Sequence, residues 1–140
     1  MTEYTIEELR KLYESSPFNN YLGIKLESFE KGAVCYSLKV NESHKNVNAA
    51  IHGGVYFSIL DSVMGATIRS AANKPVITIN TTINFLAPLT DGDQMIASGK
   101  IIQQGKSIII AEGEVKDRNG KLLAKTVGTF KFINLGKNKK

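Results

Sequence analysis

Residues 54–71, GVYFSILDSVMGATIRSA, carry the one long helical pattern in this 140-residue chain. Val55, Ile59, Val63 and Ala66 recur at helical spacing, and Leu60, Met64 and Ile68 add apolar surface beside them. A helix that is apolar around most of its circumference has to be covered on most sides. The other substantial elements legible in the sequence are strands, so the expected architecture is a sheet wrapped around this helix.

Upstream, Thr5 and Glu8 make a capping-box pattern at the start of a short amphipathic helix whose Ile6, Leu9, Leu12 and Tyr13 share a face. Ser15-Ser16-Pro17 is expected to end it. Extended sequence from Leu22 to Phe29, a turn at Lys31-Gly32 and the alternation of Val34, Tyr36, Leu38 and Val40 predict a hairpin with one buried face. Asn41 to Asn48 is polar and is expected to be a loop. Downstream, Ala71-Ala72-Asn73-Lys74-Pro75 breaks the long helix, and four strands follow at 76–85, 94–103, 107–117 and 121–133. Gly105 and Asn119-Gly120 supply the short connections of adjacent antiparallel strands. Helix, two strands, long helix, four strands, with no internal repeat or linker, predicts one α+β domain over 1–140, with a helical segment at 1–20 and a flexible basic tail at 135–140.

A mass of 15.3 kDa and 42% hydrophobic residues suffice for one core. No run approaches the roughly 20 apolar residues of a membrane span, and Met1-Thr2-Glu3-Tyr4 lacks the basic and apolar parts of a secretory signal. The expectation is no membrane insertion and a cytoplasmic location. Cys35 is the single cysteine and His44 and His52 are the only histidines, which disfavours a disulfide, a structural zinc or a histidine-rich metal site within one chain. Chemistry without metal or cofactor is expected. The net charge of +5 owes much to Lys137-Asn138-Lys139-Lys140, and no basic stripe with interleaved aromatics accompanies it. Nucleic acid is therefore not the expected partner, whereas a small phosphorylated ligand suits the same charge.

Asp61 is the most informative residue, because it stands well inside the apolar helix and not in the first turn, where an acid would complement the helix dipole. A buried unpaired carboxylate is costly, so it either faces a solvent channel or bonds a neighbouring hydroxyl for structural reasons, or it does chemistry. Just before the helix stands His52-Gly53-Gly54, which is either a tight turn or a set of amides at a helix N-terminus able to stabilise an oxyanion. About two helical turns separate Gly54 from Asp61, about 10 Å at roughly 1.5 Å per residue. Acid and amides of one chain would not meet on one carbonyl; a partner chain could supply the missing half.

Asn46, His52-Gly53-Gly54 and Leu60-Asp61 together resemble the N-x5-H-G-G-x5-L-D motif of hotdog-fold thioesterases of the phenylacetate-degradation and four-hydroxybenzoyl-CoA type. Asn84-Phe85-Leu86-Ala87-Pro88 resembles the family's strand end after the helix, and Gln104-Gly105-Lys106-Ser107 its coenzyme A-contacting turn, so the resemblance runs from about Tyr21 to Phe132. It implies a hotdog fold, homodimers with a continuous sheet, pairing of dimers into homotetramers, and hydrolysis of acyl-CoA at each dimer interface. Asp61 of one subunit would act as general base or nucleophile, with His52 and the Gly53 amide of the other. The same resemblance implies that Asn46 orients the carbonyl or the water and that Thr78 holds the water, although a strand threonine facing solvent is the competing reading of Thr78. Gly54, Phe85, Pro88, Gly105, Lys106, Ser107 and Lys131 are the expected substrate and coenzyme A contacts. Lys106 or Lys131 would meet a phosphate, unless either is only a solvated strand-end charge.

The sequence departs from many relatives at Ala49-Ala50, where a glycine is frequent, which bears on the conformation of that loop. Gly105-Lys106-Ser107 is not the end of a nucleotide-binding loop, because Lys100 occupies the place of the earlier glycine and a strand follows instead of a helix. A non-catalytic acyl-CoA or acyl-lipid binding module on the same fold is the competing function. The carboxylate at 61 and an N-terminal region too short for a helix-turn-helix domain weigh against it.

Overall fold

The computed structural model describes residues 3–90 and 93–135, so the expected basic tail beyond Leu135 lies outside the described residues. Helix α1, Ile6–Glu14, opens with the capping box foreseen from Thr5 and Glu8. Ser16-Pro17 does more than end it. The Ser16 hydroxyl accepts from the Asn19 N–H and Pro17 sits in the first turn of a second helix, α2, Pro17–Leu22, closed by Gly23 at φ 91°. Proline is tolerated there because its missing N–H is one that a helix start leaves unbonded anyway. The extended segment expected from Leu22 therefore begins only at β1, Lys25–Glu30, which pairs with β2, Ala33–Lys39.

A short 3-10 turn, Glu42–His44, interrupts the expected loop, and the long helix follows as α3, Gly53–Ala72. Then come β3, Val76–Phe85, β4, Gln94–Gln104, β5, Ile108–Lys116, and β6, Leu122–Phe132. All neighbours pair antiparallel in one sheet of order β1-β2-β4-β5-β6-β3. The sheet curls round α3, which lies against every one of its strands. This is the hotdog arrangement.

The core lies between helix and sheet: Ile59, Leu60, Val63 and Met64 meet Tyr36, Leu38, Met95, Ala97, Ile109, Val115, Leu123 and Phe130, all essentially inaccessible to solvent. Each large aliphatic chain buried there contributes about 1.5–3 kcal/mol. Close approach depends on small residues facing the helix. A Cβ on Gly99 would stand 2.5 Å from the Thr67 hydroxyl and 3.0 Å from the Val63 carbonyl, and one on Gly128 would press on Phe130 and Met64.

Two edges follow from the strand order. β1 is partly covered by α1. The β3 edge is long and open, with Ile77, Ile79 and Phe85 about half exposed. An open edge of ten residues offers unpaired N–H and C=O groups to another strand. No helix among the described residues is long and apolar enough to cross a membrane.

Candidate active site

Asp61 sits mid-way along α3, half-buried, on the side where the curled sheet leaves the helix uncovered between α1–α2 and β3. The Thr78 hydroxyl on β3 donates to its Oδ1 at 2.7 Å. Thr78 pairs with Phe130 on β6, whose side chain is buried against the helix, so the strand's alternation points Thr78 toward α3. The hydroxyl orients the carboxylate and leaves Oδ2 without a hydrogen-bond partner among the described residues. Thr78 is exposed on its strand and at the same time bonded to the acid. Together they border a cavity of about 380 Å³ walled by Leu12, Tyr13, Tyr36, Val76 and Phe130.

At the N-terminal end of α3, His52 is the N-cap, and its Nδ1 accepts from the Gly54 N–H at 2.8 Å. With Nδ1 accepting, the proton of the neutral ring is placed on Nε2. The Gly54 amide expected to contact substrate is thus already committed to His52. The Gly53 N–H has no acceptor among the described residues. Gly53 shares a separate cavity of about 340 Å³ with Tyr56, Phe85 and Pro88, and Tyr56 meets Phe85 edge-on at 5.5 Å.

Asn46 organises the loop that delivers His52. Its Oδ1 accepts from the N–H groups of Asn48 at 2.9 Å and Ala50 at 3.1 Å, while its own N–H donates to the Ala50 carbonyl at 2.7 Å. This turn holds Ala49 at φ 62°, a left-handed conformation that glycine adopts without cost. His44 fixes the loop from beneath; buried, it accepts from the Asn41 N–H at Nδ1 (2.9 Å), so its Nε2–H donates to the Leu22 carbonyl at 2.7 Å. Nothing in the sequence distinguished this histidine from a solvated one.

The third group lies at the β4–β5 turn. Gly105 donates to the Ile108 carbonyl at 2.8 Å, and a Cβ on it would approach that oxygen to 2.9 Å. Lys106 and Ser107 line a cavity of about 430 Å³ with Lys74, Pro75 and Phe132. Lys74, seen in the sequence only as part of a helix break, adds a second cation 5.6 Å from the Phe132 ring centroid. Lys131 is not part of that cavity; it lies exposed on β6 between Ile77 and Ile108.

One chain thus brings Asp61 to Thr78, and Gly53 to Phe85 and Pro88, but does not bring the two pairs together. The β3 residues Thr78 and Phe85 are seven apart, about 23 Å along a strand.

Against this geometry, the sequence profile of the thioesterase superfamily matches residues 48–124, more than half of the chain and the whole stretch from the His52 loop to β6. The chain belongs to the thioesterase superfamily. A relative in Saccharolobus solfataricus, named only provisionally as an esterase, is 31% identical over 131 residues, covering 91% of this chain and 90% of that one. Human acyl-coenzyme A thioesterase 13 is 25% identical over 127 residues, 89% of this chain and 91% of its own. Among solved structures, the PaaI protein of the phenylacetic acid degradation operon of E. coli superposes with a TM-score of 0.83 at 26% identity, over 89% of both chains. This superfamily member therefore matches its relatives over nearly their full length.

Proposed function

We propose that this chain hydrolyses acyl-coenzyme A thioesters to a free acid and coenzyme A, at composite sites built from two copies of the chain. The carrying observation is the division of labour along β3: an oriented carboxylate at the Thr78 end and an unbonded amide at the Phe85 end. Antiparallel pairing of β3 with β3 of a second copy, centred near Thr81 and Thr82, sets the Phe85 end of one strand beside the Thr78 end of the other. Each such pair holds two sites.

In each site Asp61 Oδ2 takes a proton from water as the water oxygen bonds to the thioester carbon. The carbonyl oxygen gains charge and is met by the Gly53 N–H of the second copy, with the His52 Nε2–H beside it. Collapse breaks the C–S bond and the sulfur leaves with the proton returned from Asp61. One preorganised amide contributes on the order of 10²–10³ in rate and general-base assistance about 10²–10⁴. Acyl-coenzyme A as substrate rests on the named activity of the human relative and on the two cations that line one cavity, Lys106 from the β4–β5 turn and Lys74 from the α3–β3 connection.

The test is Asp61→Asn, which keeps an acceptor for Thr78 and removes the base. Its kcat on acyl-CoA should fall by about 10²–10⁴ with little change in melting temperature. Wild-type turnover by Asp61→Asn would rule the mechanism out, and binding of acyl-CoA without turnover by the native protein would favour a binding module. A single turnover in oxygen-18 water tests for the nucleophilic route: label in the Asp61 carboxylate shows that an acyl–Asp61 anhydride formed and was opened at the Asp61 carbonyl.

A further inference from the structure

Gly65 stands in the interior of α3, four residues after Asp61 and therefore on the same face, one turn of about 5.4 Å further on. Glycine in a helix interior costs stability relative to alanine, because it gives up more chain freedom on folding. Backbone conformation does not account for it here, since Gly65 lies within the helix and has no positive φ. Packing does not account for it either. A Cβ on Gly99 would stand 2.5 Å from its nearest neighbour, one on Gly113 3.1 Å and one on Gly128 2.9 Å, whereas a Cβ on Gly65 would meet nothing within 4 Å. Among the described glycines, Gly65 alone has neither a positive φ nor a neighbour that near.

The space left by the missing side chain is part of the candidate active site. Gly65 is half-buried and borders the cavity of about 380 Å³ that holds Asp61 and Thr78. The Cα–Cβ bonds of a helix tilt toward its N-terminus, so a side chain at 65 would lean back over the turn that carries the carboxylate. The bare turn therefore clears room beside Asp61, in a cavity whose other walls include the apolar Leu12, Val76 and Phe130. A thioester carbonyl attacked at Asp61 brings the next few carbons of its acyl group into that room.

We propose that Gly65 is a specificity-determining residue, whose bare turn admits acyl thioesters branched within their first few carbons at rates near those of their straight-chain isomers. This deepens the acyl-CoA reading above and rests on it. At about 380 Å³ the cavity is near the small end of ligand sites, which suits compact acyl groups of this kind. A methyl added to the protein at 65 would take the place of a methyl on the substrate, and a pocket discriminates one such group by about 10–200-fold.

The experiment measures kcat/KM for straight and methyl-branched acyl-CoAs of equal carbon number, with wild type, Gly65→Ala and Gly65→Val, and follows the melting temperature and oligomeric mass of each protein. Wild type should show a straight-to-branched ratio near one. Gly65→Ala should raise that ratio by about tenfold or more, and Gly65→Val should raise it further. Gly65→Ala should also melt a few degrees above wild type, since alanine replaces a helical glycine in open space. Rejection of branched isomers by wild type by about tenfold or more, a ratio that neither substitution moves, or a melting point of Gly65→Ala lowered by several degrees would each overturn the assignment and leave thioester hydrolysis standing. Dissociation of the assembly in Gly65→Ala would overturn it too, by giving the space to the second copy. Failure of wild type to hydrolyse any acyl-CoA of either shape would overturn the parent reading together with this one.

Discussion

Replacing Gly53 by proline deletes one N–H and almost nothing else. Gly53 is the first residue of α3, where proline is tolerated, and His52 before it already has φ −62° and ψ 136°, the extended conformation that a following proline requires. The Gly53 N–H has no acceptor within the described chain, so no structural bond is lost. A Cβ there would meet the Phe85 ring at 3.5 Å, an ordinary contact. Gly53→Pro should therefore melt within a few degrees of wild type, while kcat on acyl-CoA falls by about 10²–10³, or roughly 3–4 kcal/mol of lost oxyanion stabilisation. Co-expression with Asp61→Asn then tests the composite site. Random pairing of the two variants makes about half of the dimers mixed, and each mixed dimer carries one site with both halves intact, so about a quarter of wild-type activity should return. Thiol release, followed continuously for each parent and for the mixture, measures this. Full turnover by a folded Gly53→Pro removes the amide from the mechanism, and a mixture no better than the sum of its parents removes the intersubunit arrangement.

Three further outcomes concern the scaffold that holds these groups. Ala49→Gly should raise stability by about 0.5–1 kcal/mol in chemical denaturation, because it relieves the left-handed strain at φ 62°. Gly99→Ala should cost about 1–3 kcal/mol or prevent folding, since the new methyl meets the Thr67 hydroxyl and the Val63 carbonyl. His44→Ala should cost about 1–3 kcal/mol, emptying a buried site and leaving the Asn41 N–H and the Leu22 carbonyl without their partner, and should raise KM by loosening the His52 loop. Unchanged denaturation midpoints in these variants would contradict the contacts described.

Much of the fold was legible because its signals are local. The apolar circumference of 54–71, the alternation of Val34, Tyr36, Leu38 and Val40, and the turn residues at Gly105 and Asn119-Gly120 each report a period or a backbone preference over a few residues. Where the local signal was ambiguous, the reading failed: Ser16-Pro17 ends one helix and starts another, and proline suits both roles. The roles of His44 and Lys74 were missed for a different reason, since Leu22 and Phe132, which they meet, are distant in sequence.

The motif containing Asp61 and His52-Gly53-Gly54 could be named from the sequence, and spacing along one helix already set acid and amide apart. Only the tertiary structure decided what each atom is free to do. Thr78 reaches Asp61 because β3 returns beside α3 after a break, leaving Oδ2 open; Gly54 is engaged by His52 while Gly53 is not. The open β3 edge is likewise a product of strand order. Sequence determines which groups are present and the local geometry they favour. Which hydrogen bonds remain unmade, and so available to a substrate or a second copy, depends on contacts between residues far apart in the chain, and those exist only once it has folded.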